Sequence, residues 1–392
     1  MQENPIRDHK PKTAAGCYFH IPFCASKCAY CHFLSFPFDK KIEERYANAV
    51  LMELRHFAAR LSAMPPVDSI YFGGGTPGLV PVEHIAEILN ESRRVFPVAA
   101  DCEITLETNP GTVSPENAAA YRAAGVTRIS LGAQSFSDAE LRSVGRIHSA
   151  AQIADSLTTL FGAGFDNISL DLMLGLPEQN AESWHTTLRS AVSFPIRHIS
   201  VYMLDLDESS PLLAKAAAGK IFLPGEDAVA GLYEETVDFL GSKWFDQYEI
   251  SNFARTGSES RHNLKYWRRA PVYGFGLGSH SFDGCFRSAN VSEIDGYCRR
   301  VESGRSPIAW RSEVTEKQAL EETFFLGLRM VDGVDLRCVA ADFEDAAAGF
   351  LAEREKKLEE FHAAGLLDID SSRMRLTGKG MLLSNEVLEL FV

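Results

Sequence analysis

Short apolar segments typical of β-strands alternate with amphipathic segments through the first half of the chain, and this alternation constrains the fold most. The predicted strands are Cys17–His20, Ser69–Phe72, Glu103–Glu107, Arg128–Leu131, Asn167–Asp171 and His198–Tyr202. Helices are predicted between them near residues 41–60, 82–95, 115–124, 149–163 and 181–193. Such alternation is typical of parallel βαβ units. Six units favour an α/β fold built as an open (β/α)6 barrel. A doubly wound sheet is the alternative, because a sequence does not show strand order.

The alternation ends near Asp205, which divides the chain into three predicted parts. These are a barrel core at 1–205, an extension of mixed pattern at 206–310 and a C-terminal domain at 311–392. The C-terminal pattern predicts helices at 315–330, 338–346 and 350–364, strands Leu366–Ile369 and Met374–Leu376, and a last helix from Gly378 to Leu390. Helices followed by a short β-ribbon resemble a winged helix, so an α+β extension is expected after the barrel.

Composition limits the classes of function. A net charge of −14 argues against a broad nucleic-acid or anionic-membrane surface. No apolar run is long enough to span a membrane, and Met1–Lys12 lacks the apolar centre of a signal peptide. Eight cysteines in 392 residues do not suggest a disulfide framework. We therefore expect a cytoplasmic protein without a nucleic-acid partner; peripheral contact with a membrane is compatible with this composition.

Cys24, Cys28 and Cys31 form a Cys-x3-Cys-x2-Cys run directly after the first predicted strand. Thiolates select soft metals, and sulfur sites hold zinc or iron–sulfur clusters. Structural zinc needs a fourth ligand, and the nearby candidate, His32, is adjacent to Cys31. Three thiolates on a four-iron cluster would leave one iron open to a further ligand. The ligand count favours the cluster, with zinc as the alternative.

The segment Gly73-Gly74-Gly75-Thr76-Pro77 follows the second predicted strand. In barrels of parallel strands, functional groups gather at the carboxyl ends of the strands. Glycines there let the backbone approach a ligand closely. The segment lacks the Gly-Lys-Ser/Thr ending of a phosphate-binding loop. It predicts either a ligand-binding loop or a tight turn.

Polar residues stand at the ends of the next strands as well. Glu107 closes the third strand and suits the paired hydroxyls of a ribose. Gln134 follows the fourth strand, Arg146 offers a guanidinium fork for a carboxylate, and Asp171 ends the fifth strand. Each residue alone could be a cap or a loop residue. Together they predict a binding site for a small polar molecule.

Arg261-His262-Asn263-Leu264-Lys265-Tyr266-Trp267 is the informative segment of the extension. From the residues alone, His262 is either a buried, hydrogen-bonded histidine or an axial haem ligand flanked by aromatic rings. His280 is the competing ligand, and His148, beside Arg146, is placed better for the small-molecule site. The stretch 274–278 lacks the spacing of a dinucleotide-binding fingerprint. It predicts close backbone packing at the barrel mouth.

The cysteine run, with Tyr30 before its last cysteine, resembles the signature of the radical S-adenosylmethionine (SAM) superfamily. The resemblance implies that the three thiolates hold a [4Fe–4S] cluster whose open iron is chelated by SAM. It also implies that the cluster receives an electron from a low-potential donor. The residues then expected to line the SAM site are Tyr18, Tyr30, Gly74, Gly75, Thr76, Glu107, Gln134, Arg146 and Asp171.

The order of the motifs is similar to the coproporphyrinogen-oxidase-like branch of that superfamily, and more narrowly to HemW-type haem chaperones. The matching segments include Tyr18-x-His20-Ile21-Pro22-Phe23-Cys24, Gly145-Arg146-x-His148 and His262-Asn263-x-x-Tyr266-Trp267. The resemblance implies a protein that binds haem, with His262 implicated, and passes it to an acceptor protein.

Two further functions in the superfamily are alternatives. The oxygen-independent coproporphyrinogen oxidase carries a fourth cysteine two positions after the third, and a longer N-terminal arm. Here that position is Phe33, and 23 residues precede Cys24. A radical SAM enzyme acting on RNA is disfavoured by the acidic composition. His32 stands where the HemW-like pattern usually has Asp, which removes an acceptor-only carboxylate beside the cysteine loop.

Overall fold

The computed structural model describes residues 14–59, 65–206 and 210–392. The expectation about Met1–Lys12 and the predicted end of the first helix at residue 60 lie outside these ranges. Within the described residues no helix is both long and apolar enough to cross a membrane.

The strands of the described chain are β1 (Ala15–Ile21), β2 (Phe23–Cys24), β3 (Phe36–Pro37), β4 (Val67–Gly74), β5 (Val98–Thr108), β6 (Arg128–Gln134), β7 (Ile168–Leu174), β8 (His198–Met203), β9 (Asp246–Glu249), β10 (Asn252–Ala254), β11 (Val272–Phe275), β12 (His280–Phe282), β13 (Phe286–Asn290), β14 (Ile308–Glu313), β15 (Val334–Asp335), β16 (Leu367–Ile369) and β17 (Arg373–Leu376).

The α-helices are α1 (Lys40–Ala58), α2 (Val82–Val95), α3 (Pro115–Ala124), α4 (Asp138–Ser143), α5 (Ala150–Gly162), α6 (Ala181–Val192), α7 (Pro211–Ala217), α8 (Glu226–Ser242), α9 (Arg261–Trp267), α10 (Ile294–Glu302), α11 (Glu316–Gly327), α12 (Leu336–Ala352), α13 (Glu355–Ala363), α14 (Gly378–Leu382) and α15 (Ser384–Leu388). Short 3-10 turns occur at Pro77–Leu79 and Glu389–Phe391.

The predicted (β/α)6 core is confirmed. The strands lie in the order β1-β4-β5-β6-β7-β8, and neighbouring strands are parallel. Apolar side chains such as Phe19, Ile70 and Leu131 are buried in the core that the helices share with the sheet. Each predicted strand and helix of this region is present. Helix starts follow capping residues, as at Ser114 and Ser149, which both form capping boxes.

The extension adds strands to both edges of the barrel, which the sequence pattern did not reveal. β11 pairs parallel with β1, and β12, β13 and β14 continue from it antiparallel. At the other edge β10 and β9 continue antiparallel from β8. A sheet of twelve strands results. Strands of three to six residues are too short to show a reliable periodicity.

The predicted close packing at 274–278 is confirmed. A Cβ on Gly274 would lie 2.3 Å from the carbonyl oxygen of His280. Gly276 has a φ of 93°, and a Cβ there would lie 2.8 Å from the carbonyl oxygen of His20. Side chains at these two positions would collide with backbone, so glycine is needed for strand β11 to turn into β12.

The C-terminal domain has its own apolar core, which includes Phe324, Phe350 and Phe391. Its strands form a three-stranded sheet in the order β15-β17-β16, with helices before it. The predicted last helix from Gly378 to Leu390 is wrong as a single element. The backbone leaves helical geometry at Leu383 (φ −102°, ψ 29°), which separates α14 from α15. Both pieces bury apolar side chains in the same core, and that packing overrides the local helical pattern.

Candidate functional site

The three cysteines lie on a loop that is closed at its base. Strand β2 pairs with β3, and the Phe38 amide donates to the Cys24 carbonyl oxygen at 3.1 Å. Farther along the loop, the Ala29 amide donates to the Val144 carbonyl oxygen at 3.1 Å. The loop therefore follows the first barrel strand and is held against the connection after β6, at the carboxyl end of the sheet.

Polar donors face two of the thiols. Thr76 Oγ1 donates to Cys24 Sγ at 3.6 Å, and Arg146 Nη1 donates to Cys28 Sγ at 3.5 Å. Hydrogen bonds and a positive charge beside sulfur stabilise a thiolate. Tyr30 lies near the sulfurs of Cys28 and Cys31, and burial raises the pKa of its phenol. This donor set suits the ligands of an iron–sulfur cluster.

The thiols are not arranged around a single ion. In the described ranges, no three His, Cys, Asp or Glu side chains come close enough together to hold one metal ion. A structural zinc site needs four converging ligands, whereas a cluster presents a separate iron to each thiolate. The arrangement fits a [4Fe–4S] cluster better than the zinc alternative.

Arg146 connects the cysteine loop to the strand ends. Its Nη2 donates to Asn109 Oδ1 at 2.7 Å and also to the carbonyl oxygen of Gly132. Asn109 Nδ2 in turn donates to Thr76 Oγ1 at 2.9 Å. These side chains line a small cavity of about 40 Å³ that also reaches Cys28. Asn109 thus joins two residues of the predicted site, Thr76 and Arg146, into one network.

Asn109 was not among the residues predicted for the site. It stands two positions after Glu107, in a segment that matches the family pattern. Its role as the bridge between Thr76 and Arg146 depends on two contacts to distant parts of the chain. Only the motif itself could have pointed to it.

Glu107 lies in the barrel interior between a tyrosine and the glycine loop. Tyr71 Oη donates to Glu107 Oε1 at 2.6 Å, and the Gly74 amide donates to Oε2 at 3.2 Å. Burial raises the pKa of Glu107 to about 7, and the charge of Asp171 contributes. A carboxylate in this environment is stabilised when further donors, such as ligand hydroxyls, reach it.

Asp171 and Gln134 lie on neighbouring strands of the same interior. Ser130 Oγ donates to Asp171 Oδ2 at 3.0 Å, and burial raises the pKa of the Asp171 carboxyl. Gln134 has a φ of 67°, a conformation that non-glycine residues rarely adopt. Such strain is concentrated at functional sites in proteins.

The glycine loop packs closely against the segment that leads to the cysteines. Gly74 has a φ of 116°, and a Cβ there would lie 2.6 Å from the imidazole of His20. A Cβ on Gly75 would lie 2.6 Å from the Phe23 carbonyl oxygen. The Thr76 amide donates to that same carbonyl at 2.8 Å. The glycine loop therefore packs directly against the segment before the cysteines, which a tight turn alone would not require.

His148 lines the same pocket as Arg146, as expected. Its Nε2 is 3.1 Å from the Ala133 carbonyl oxygen. Burial, together with the charge of Arg146, lowers the pKa of His148 to about 4. Tyr18 lies deeper in the barrel, with its hydroxyl 3.1 Å from His20 Nδ1.

His262 lies at the opposite end of the barrel interior. Helix α9 places its imidazole beside the beginning of β4, and the side chain is buried. Nδ1 is 3.0 Å from Ser69 Oγ, and Nε2 is 3.2 Å from Tyr266 Oη. Burial lowers the pKa of His262 to about 3. Neither ring nitrogen is free for iron in this arrangement, so axial ligation by His262 stays a prediction that needs the Tyr266 contact to open.

His280 has a contrasting environment. It begins β12, its side chain is exposed, and the centroid of its imidazole lies 6.0 Å from that of the Trp310 indole.

Two residues that follow Cys31 are exposed. His32 has its Nε2 at 3.4 Å from the Asp205 carbonyl oxygen. Phe33, at the position of the oxidase's fourth cysteine, is 66% exposed.

Two family models match separate parts of the chain. Residues 18–191 match the Radical SAM superfamily, and residues 314–383 match the HemN C-terminal domain. Coproporphyrinogen III oxidase (HemN) from Escherichia coli has the same fold. The TM-score is 0.84 at 24% identity, over 96% of this chain and 90% of that chain.

Curated relatives match over nearly the whole chain. Heme chaperone HemW from Bacillus subtilis is 34% identical over 96% of this chain and 98% of its own. Heme chaperone HemW from Escherichia coli is 32% identical over 96% and 97%. The mouse mitochondrial protein called radical S-adenosyl methionine domain-containing protein 1 is 33% identical over 98% and 88%. The chain belongs to the HemW family of radical SAM proteins.

Proposed function

We propose that this protein is a haem chaperone, which binds haem and transfers it to an acceptor protein. The observation that carries the proposal is full-length similarity to proteins named heme chaperone HemW, 34% identical over 96% of the chain. The alignment also covers 98% of the relative, so no large part of either chain is unmatched.

In this proposal Cys24, Cys28 and Cys31 hold a [4Fe–4S] cluster. The cluster, when bound, supplies an open iron for SAM and low-potential electron chemistry. Arg146 then has two tasks, because it donates both to Cys28 Sγ and to Asn109. Its guanidinium also faces the pocket where a SAM carboxylate would lie.

The remaining polar residues would hold the other parts of SAM. Glu107 would accept hydrogen bonds from ribose hydroxyls. Asp171 and Gln134 would supply further polar contacts to SAM. A low-potential electron donor would reduce the cluster if SAM is cleaved. Burial of Glu107 makes it sensitive to which donors reach it, because its pKa already lies at about 7.

Oxidative decarboxylation of a porphyrinogen is the second candidate. The fold of HemN supports it, since that oxidase and this chain superpose with a TM-score of 0.84. The exposed Phe33 at the fourth cysteine's position disfavours it.

One experiment distinguishes the haem chaperone from the oxidase. The purified protein is reconstituted anaerobically with iron and sulfide, then given haem and an apomyoglobin acceptor. A chaperone binds haem and delivers it to apomyoglobin without consuming coproporphyrinogen. Turnover of coproporphyrinogen in the presence of SAM and dithionite, without haem binding, would select the oxidase.

A further inference from the structure

We infer that Asn109 is a positioning residue that directs two hydrogen bonds onto the cysteine sulfurs, and that these bonds raise the reduction potential of the [4Fe–4S] cluster. The inference rests on the proposed cluster and goes beyond it. The contacts run from Arg146 through Asn109 to Thr76, and these three side chains form the Asn109 network. The network ends on the sulfurs of Cys24 and Cys28.

Arg146 fixes the orientation of the Asn109 amide. A guanidinium has donors and no acceptor, so the Asn109 atom at 2.7 Å from Arg146 Nη2 is the oxygen Oδ1. The other amide atom, Nδ2, is then the one that lies 2.9 Å from Thr76 Oγ1. The amide therefore has one orientation, in which it accepts from Arg146 and donates to Thr76.

The amide in turn fixes the direction of the Thr76 hydroxyl. A hydroxyl carries a single proton. Because Oγ1 accepts from Asn109 Nδ2, that proton is left for a different acceptor, and Cys24 Sγ lies 3.6 Å away. The Thr76 amide donates to the Phe23 carbonyl oxygen at 2.8 Å, which holds the residue beside the cysteine. Asn109 thus turns the hydroxyl proton towards sulfur.

The other end of the Asn109 network brings a positive charge to Cys28. Arg146 Nη1 donates to Cys28 Sγ at 3.5 Å while Nη2 is held by Asn109. The backbone keeps the two residues together, because the Ala29 amide donates to the Val144 carbonyl oxygen at 3.1 Å. The loop that carries Cys28 is therefore fixed against the turn that carries Arg146.

Donors at the sulfurs act on the redox equilibrium of a cluster. The reduced form carries one more negative charge than the oxidised form, so hydrogen bonds and positive charge at the sulfurs stabilise the reduced form more. Such contacts are stronger away from bulk water, and Thr76 is 5% exposed. Loss of the Asn109 network should therefore make the cluster harder to reduce.

The test is a redox titration of the full chain after anaerobic reconstitution, without SAM, followed by electron paramagnetic resonance. Thr76→Val and Asn109→Ala should each shift the midpoint potential to more negative values. Thr76→Ser keeps a hydroxyl and should retain the wild-type potential. Thr112→Val is the matched control, because Thr112 lines the same cavity and its hydroxyl donates to the Asn109 carbonyl oxygen at 2.8 Å.

The double variant Thr76→Val/Asn109→Ala tests whether Asn109 acts through Thr76. Its shift should be smaller than the sum of the two single shifts, because residues in one hydrogen-bond network are not independent. Fully additive shifts would refute the positioning of the Thr76 hydroxyl by Asn109.

Resonance Raman spectra supply a second readout. Exchange into deuterated water shifts the iron–sulfur stretching modes when the sulfurs accept hydrogen bonds from exchangeable protons. This isotope shift should be smaller in Thr76→Val and Asn109→Ala than in the wild type, and unchanged in Thr112→Val. Altered packing alone would change stability and leave the isotope shift as it is.

The outcomes distinguish this role from the cluster assignment. If the wild type takes up no iron–sulfur cluster, the proposed cluster fails and this role fails with it. If the cluster is present but Thr76→Val and Thr76→Ser have the same midpoint potential, this role is refuted and the cluster stands. That pair also decides if Asn109→Ala takes up too little iron to titrate. Equal shifts in Thr76→Val and Thr112→Val would overturn the inference, because any lost hydroxyl would then have the same effect.

Discussion

His262 and His198 have the same hydrogen-bonding pattern in the barrel interior. His262 joins Ser69 Oγ and Tyr266 Oη, and His198 joins Ser169 Oγ and Tyr248 Oη. Both imidazoles are buried, and burial lowers both pKa values. The first of these histidines belongs to the motif implicated in haem binding, yet its geometry is that of a neutral structural residue.

We therefore expect His262→Ala to destabilise the fold. The substitution leaves the buried hydroxyl of Ser69 without its partner, which typically costs about 1–3 kcal/mol, and it also removes the contact to Tyr266. Urea unfolding followed by circular dichroism measures the change in the free energy of unfolding. His262→Gln should recover part of the loss, because an amide can replace one contact. Unchanged stability in His262→Ala would contradict the structural role.

Replacing Cys24, Cys28 or Cys31 by Ala should abolish the broad cluster absorbance after anaerobic reconstitution. Each thiolate would hold a separate iron of the proposed cluster, so two remaining thiolates would not complete the site. Bound iron and sulfide are measured directly. Cys338→Ala is the control, because Cys338 is an exposed cysteine in the C-terminal domain. Wild-type iron content in Cys28→Ala would refute the assignment.

SAM binding should depend on Glu107 and Arg146. Removing one charge-assisted hydrogen bond costs about 1.5–3 kcal/mol, which is roughly a ten- to hundred-fold loss of affinity. Isothermal titration of SAM into reconstituted Glu107→Ala and Arg146→Ala tests this. Glu116→Ala is a control, because Glu116 is an exposed residue on α3. Wild-type affinity in both site variants would exclude these residues.

Asn109→Ala should weaken SAM binding indirectly. Asn109 accepts from Arg146 Nη2 at 2.7 Å and also donates to Thr76, so its loss removes one of the contacts that orient the guanidinium. Asn109→Asp keeps an acceptor for Arg146, and we expect it to retain more affinity than Asn109→Ala. The comparison is made by the same titration. Equal affinities for the two variants would contradict a positioning role.

Stability should fall as the pH rises from about 4.5 to about 7. Burial raises the pKa of Glu53 to about 7, so the neutral carboxyl is favoured in the folded protein. A raised carboxyl pKa gives stability that is complete at low pH and is lost as pH rises through the folded value. Urea unfolding across this range measures the slope, and Glu53→Gln should reduce it. Glu107 should add to the slope in the same window, because its pKa is also about 7.

The sequence by itself determined the barrel and the cluster loop. Alternating strands and helices follow from local periodicity, and capping residues such as Ser114 and Ser149 mark helix starts. The spacing of Cys24, Cys28 and Cys31 is a local pattern as well. Polar residues at strand ends, including Glu107 and Asp171, could be expected to meet because parallel strands end at one edge of the sheet.

The tertiary structure alone decided the relations between distant segments. Strands β11–β14 extend the sheet through pairing that cannot be predicted from strands this short. Asn109 and Arg146 lie on different connections of the barrel and come together only in the folded chain. The burial of His262 depends on helix α9, which packs against β4, and the contact of His280 with Trp310 depends on the strand register. A sequence motif identifies candidate residues. Whether a given imidazole contacts a buried serine or lies in solvent depends on contacts with segments that are distant in the sequence.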